Sequence, residues 1–112
     1  MKFETRMVYE VLVVDMSGRL DSISSGDAGD RIMNIVQGEN KRVLLNLEKV
    51  DFVSSAGLRV IIRGAKMLKG RRGELKLCNP RSDVRSVLET SGFYSLIKIY
   101  DTEKEAVSAF LA

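Results

Sequence analysis

The chain has 112 residues with 18 basic and 15 acidic side chains, a net charge of +3. That length suits one compact unit, residues 1–112, with a core large enough to fold without disulfides, and the single cysteine, Cys78, suits a reducing compartment. No histidine is present, which removes Ser-His-Asp and Cys-His nucleophile systems, the commonest general base, and most zinc or iron sites.

In chain order, Phe3 to Val8 carries charges at alternate positions and reads as an edge strand. It pairs with Met7 to Met16, a valine-rich strand. Ser17-Gly18-Arg19-Leu20-Asp21 is expected to turn the chain. Ser25 to Gln37 places Ala28, Ile32, Ile35 and Val36 at helical spacing, with Gly38 as a stop. Arg42 to Leu47 is a short continuous apolar run, the pattern of a strand buried on both faces. Gly57 to Arg71 is helical, with Leu58, Ile61, Ile62, Ala65 and Leu68 on one side. Glu74 to Cys78 alternates as a strand, and Pro80 opens a helix of Val84, Val87 and Leu88 that ends at Gly92. Leu96 to Tyr100 is a further strand, and Glu103 to Leu111 a final short helix. The order β-β-α-β-α-β-α-β-α predicts an α/β domain with four or five strands, mostly parallel, and about four helices.

In such sheets the functional crevice lies where loops leave the strand ends. Here that loop is Val50 to Leu58, VDFVSSAGL, between the buried strand and a basic helix. Ser54 or Ser55 can act simply as the helix N-cap. A serine hydroxyl there is also a good place for a phosphate, because free N–H groups and the positive dipole end stabilise added negative charge. The two roles are compatible.

VDFVSSAGLRVII resembles the signature of the STAS-domain anti-sigma factor antagonists, or anti-anti-sigma factors. In that family a strand leads into Asp-Ser-Ser/Thr-Gly-Leu, and the first serine after the aspartate is phosphorylated. Laying Gly57-Leu58 on the family's Gly-Leu puts Ser55 on the phosphorylated serine. Ser54 then stands in place of the aspartate, and Ala56 in place of the second hydroxyl residue. Gly18-Arg19-Leu20-Asp21 is similar to the family's Gly-Glu-Leu-Asp segment, and Ile99-Tyr100-Asp101 with Glu103, Glu105 and Ala106 to its C-terminal strand and helix.

The resemblance implies a cytoplasmic partner-switching regulator that is not an enzyme, needs no cofactor, and is monomeric when free. Its unphosphorylated form binds an anti-sigma factor that is itself a serine kinase with a histidine-kinase-like ATPase fold, and so releases the sigma factor. Phosphorylation of Ser55 ends that binding, and a PP2C-type phosphatase resets the cycle. Asp21, Ser54, Ser55, Ala56, Gly57, Leu58 and Arg59 are the implied partner-binding residues, although Asp21 can equally satisfy backbone donors in its own turn. The alternatives are a STAS-like subunit of a transport system and a small-ligand sensor docking on a partner protein.

Other features carry less. Arg59, Arg63 and Lys66 fall within about 60° of one another on a helix, followed by Lys69, Arg71 and Arg72 with no acid among them. No aromatic residue is interleaved for base stacking, so a solvated face or a contact with an acidic partner is expected rather than nucleic acid. Cys78 reads as a small buried apolar residue. The GDAG segment lacks the Gly-Lys-Ser/Thr ending of a phosphate loop. Met1 to Met7 alternates charges unlike a signal peptide, and the longest uncharged apolar run, Val11 to Val14, is far too short for a membrane span.

Overall fold

A computed structural model describes residues 1–92 and 95–112. Five strands form one sheet in the order β1 (Lys2–Val8), β2 (Val11–Leu20), β3 (Arg42–Val53), β4 (Glu74–Cys78) and β5 (Ile99–Tyr100). β1 is antiparallel to β2 and every later pairing is parallel. The expected α/β class, mostly parallel sheet and four helices are all present: α1 (Ser25–Val36), α2 (Ser55–Gly70), α3 (Ser82–Thr90) and α4 (Glu103–Leu111).

Each parallel crossover advances one strand in the same direction, so α1, α2 and α3 cover the same face of the sheet. There Val14, Leu45, Leu47 and Leu77 meet Ile32, Ile61, Leu68 and Leu88 in the main core. On the other face, among the described residues, α4 covers a smaller cluster of Val11, Val13, Leu44, Cys78, Ala106 and Val107. β3 is the middle strand, and its Val43 to Leu47 run is buried on both sides as its composition requires.

Three segments differ from the sequence reading. Met7 to Met16 is not one strand, because Tyr9 and Glu10 take positive φ angles of 46° and 68° and close a two-residue hairpin. Neither residue is the Asn or Gly that usually marks such a turn, so the sequence carries no signal for it. Gly18 does not turn the chain. It adopts φ 112° at an irregularity in the β2–β3 register, and pairing continues to Leu20 opposite Val53. The chain turns only after Leu20, over residues 21–24.

The third difference concerns Val50 to Leu58. Its first four residues extend β3 to Val53, with Val50 and Val53 in the core, so the loop shrinks to Ser54. Smaller shifts follow the same logic. β5 is only Ile99–Tyr100, Pro80 precedes α3 by two residues, and Val87 is 37% exposed rather than packed.

Candidate functional site

The site grows from the paired ends of β2 and β3. Leu20 and Val53 lie side by side there, and the Ser54 amide donates to the Leu20 carbonyl at 2.9 Å. Ser54 is extended, with φ −88° and ψ 175°, and its Oγ accepts from the Gly57 amide at 3.1 Å. Ser54 is therefore the N-cap of α2, satisfying one of the helix's free donors.

Ser55 is the first residue of α2. Its side chain is exposed and has no hydrogen-bond partner among the described residues. The first turn of the helix holds no acidic side chain, so the positive end of its dipole is uncompensated there. Thus the two serines, equivalent in the sequence reading as possible caps, differ in the folded chain. One is committed to the backbone and the other faces solvent.

Gly57 explains why the motif needs glycine at this place. A Cβ there would press on the Leu20 carbonyl oxygen and lie 2.6 Å from Leu20 Cγ. Only a residue without a side chain lets α2 start directly over the end of β2. Ala56 and Leu58 are half-buried, and Leu58 packs against the main core. Arg59 is exposed one turn beyond Ser55.

Asp21 sits beside this end but its carboxylate is used internally. Its Oδ1 accepts from the Ile23 and Ser24 amides, both at 3.0 Å, and Oδ2 lies 3.5 Å from Arg19 Nε. The Ser24 hydroxyl accepts from the Asp21 amide at 3.0 Å and donates to the Arg19 carbonyl at 2.7 Å. Hydrogen bonds from Ser24 and Ile23, with the nearby Arg19 charge, hold the Asp21 carboxyl below the usual range. Asp21 thus builds a closed turn, the second of the two roles open to it in the sequence.

That turn displays Ile23, which is 92% exposed. Arg19 lies 4.4 Å over the ring of Phe52, itself 39% exposed. Neither Ile23 nor Phe52 was singled out in the sequence. An isolated Ile in a polar stretch carries no periodic signal, and its exposure follows only from the turn.

Two further polar groups escape a sequence reading. Asn46 is buried on β3, donating to Asp15 Oδ1 at 2.8 Å and accepting from Asn79 at 3.1 Å. Lys76, 3% exposed, reaches Glu74 at 3.0 Å and lies near the rings of Tyr100 and Phe110. Cys78 is buried as expected, and loss of solvation pushes its thiol up to about 12, away from a reactive thiolate. Among the described residues no helix is long and apolar enough to cross a membrane.

Comparison with known proteins agrees with this architecture. The STAS domain family matches residues 2–106, and the chain belongs to that family. BtrV of Bordetella bronchiseptica, named as a candidate anti-sigma factor antagonist, is 34% identical over 110 residues, covering 98% of this chain and 95% of BtrV. The unphosphorylated structure of the anti-sigma factor antagonist SpoIIAA superposes with a TM-score of 0.79 at 26% identity, covering 97% of this chain and 96% of SpoIIAA. SpoIIAA from Bacillus is also solved in its phosphorylated form, at a TM-score of 0.71 over 97% of this chain and 99% of that one. The STAS domain of a SulP transporter from Vibrio cholerae shares the fold, with a TM-score of 0.73 at 20% identity over 95% of this chain and 84% of that one.

Proposed function

We propose that this chain is an anti-sigma factor antagonist that works by partner switching. Unphosphorylated, it binds an anti-sigma factor that is also a serine kinase of histidine-kinase-like fold, and displaces the sigma factor. That kinase phosphorylates Ser55, the complex separates, and a PP2C-type phosphatase restores the starting form. The chain is a ligand and a substrate in this cycle and catalyses nothing itself.

The observation that carries the reading is the division of labour between the two serines. Ser54 Oγ is occupied by the Gly57 amide, whereas Ser55 is exposed without a partner among the described residues. The relative SpoIIAA, known in both phosphorylation states, keeps this fold in each. The transporter reading has only a shared fold behind it.

A phosphate on Ser55 is compatible with the folded domain, since a helix N-terminus favours an anion by about 0.3–1 kcal/mol. At a docked surface the same group adds about −1.5 to −2 charges. Against one acidic group about 6 Å away, an effective dielectric near 20 gives roughly 3 kcal/mol of repulsion per charge pair. That corresponds to a loss of about a hundredfold in affinity.

The test uses the kinase-type anti-sigma factor of the same organism with ATP. Ser55→Ala abolishes phosphate incorporation and Ser54→Ala leaves it measurable, by phosphopeptide mapping. Modification on Ser54, or a phosphorylated chain that binds the kinase as well as the unmodified one, overturns the proposal.

A further inference from the structure

Ser55 stands at the head of an unusual charge distribution. From residue 55 to 72 the chain carries Arg59, Arg63, Lys66, Lys69, Arg71 and Arg72 and no acid, so this segment is +6. The remaining residues hold 12 cations and 15 anions, a net of −3. The whole excess of positive charge therefore lies on one helix and its C-terminal turn.

All six of these side chains are exposed. Elsewhere Arg6, Arg19, Arg31, Arg42, Lys76, Arg81 and Arg85 each lie within 4.0 Å of a carboxylate. Among the described residues no carboxylate comes that close to any of the six. Of the six, Arg71 alone has another hydrogen-bond partner among the described residues, the Gly38 carbonyl at 3.1 Å. Arg59, Arg63 and Lys66 are spaced four and three residues apart, so they repel one another along the helix. An isolated chain bears that repulsion, and an anionic surface laid along α2 relieves it.

The stripe also has an apolar floor. A shallow groove of about 540 Å³ runs between α1 and α2, with half-buried Met33 and Met67 beneath and Arg63, Lys66 and Arg71 along its rim. Phosphates would leave such a floor unused, whereas methionine adapts readily to apolar side chains of a protein. The occupant that matches both features is a protein surface with acidic side chains flanking an apolar ridge.

We infer that the face of α2 from Arg59 onward, with Arg71 just beyond the helix end, is the docking face for an acidic, amphipathic surface of the kinase partner; this rests on the partner-switching reading above. Docking and release then share one electrostatic device. The same acidic surface that is drawn to Arg59, Arg63 and Lys66 is repelled once Ser55 gains a phosphate at the head of the stripe. The phosphate also neutralises the nearest cation, Arg59, one turn away.

The experiment measures affinity of the full chain for the kinase-type anti-sigma factor of the same organism, at low and high salt, by calorimetry. Reversing two rim charges, R63E/K66E, is expected to weaken binding about a hundredfold at low salt and to flatten its salt dependence. The variant K98E/K104E makes the same net-charge change at exposed positions off α2, and is expected to stay within about threefold of the original chain. Melting temperatures of both variants check that the fold is intact.

Binding by R63E/K66E within threefold of the original chain overturns the docking face while leaving Ser55 phosphorylation standing. An equal loss in K98E/K104E also overturns it, because net charge alone then governs association. If the original chain does not bind the kinase at all, both this inference and the function on which it rests fall. Duplex DNA bound at physiological salt more tightly than the kinase would assign the stripe to nucleic acid instead.

Discussion

The two faces of the sheet are closed by different chemistry. Under α1, α2 and α3 the strands present Val14, Leu45, Leu47, Leu75 and Leu77, packed against apolar stripes of the helices. Under α4 the apolar patch is small, and beside it the sheet turns polar. There Arg6 bridges Asp15 and Glu103, joining β1, β2 and α4, while Asn46 and Asn79 continue the network across β3. The first face holds its helices by burial, which is strong and indifferent to pH. The second holds α4 partly by exposed ion pairs, which are weak in water and depend on ionised carboxylates. The serine end belongs to the first face, so Ser55 is positioned by packing rather than by charge.

The largest expected effect separates the two faces directly. Ile61→Ala, in the buried row of α2, should cost about 2–5 kcal/mol in chemical denaturation. Val107→Ala, under α4, removes two methyl groups from a smaller cluster and should cost about 1.5–2 kcal/mol. A loss at Val107 equal to that at Ile61 breaks the comparison.

Next in size is Gly57→Ala, expected to destabilise by about 1–3 kcal/mol because the new methyl presses on Leu20. Gly26→Ala, near the start of α1, meets nothing within 4 Å and should instead stabilise by about 0.4–1 kcal/mol. Equal effects at the two glycines would show that the close seating of α2 on β2 is unimportant. Removing the cap by Ser54→Ala should cost about 1 kcal/mol, read as a lower denaturation midpoint with an unchanged slope.

The smallest effect tests the polar face. Arg6→Ala should cost about 0.2–1 kcal/mol at neutral pH, since Arg6 and its carboxylate partners are partly exposed. Its pH dependence is more telling. Hydrogen bonding to Arg6 holds Asp15 below the ordinary carboxylate range. A depressed folded value gives stability that is present above the unfolded pKa, near 3.9, and is lost as pH falls through the folded value. Arg6→Ala should therefore flatten the acid limb below about pH 4, while Asp21, depressed by its own turn, keeps part of it. An unchanged acid limb in this variant would remove Arg6 from the account of that face.

Much of this was legible in the residues. The run Val43 to Leu47 marked a strand buried on both faces, and it is the middle strand. Periodic Ile32, Val36, Ile61 and Leu68 marked the helix faces that pack on it. The Tyr9-Glu10 hairpin was not legible, since its conformation is imposed by pairing of the flanking strands rather than by turn-forming residues. Nor was the length of β3, because Phe52 and Val53 look like loop until Arg19 and Leu20 are laid beside them.

At the site, local sequence determined that two serines and a glycine stand where a helix begins, and that six cations follow on and just beyond that helix without an acid. Those features depend on residues near in the chain, and short-range propensity and periodicity are enough to read them. Which serine is free, and which is tied to the backbone, was decided only when β2 and β3 ended side by side and Gly57 let α2 start over Leu20. The same holds for the Asp21 turn, the exposure of Ile23, and the methionine floor between α1 and α2. Each depends on hydrogen bonds or packing formed in the folded chain, and the two helices of that floor meet only across a strand that separates them in sequence.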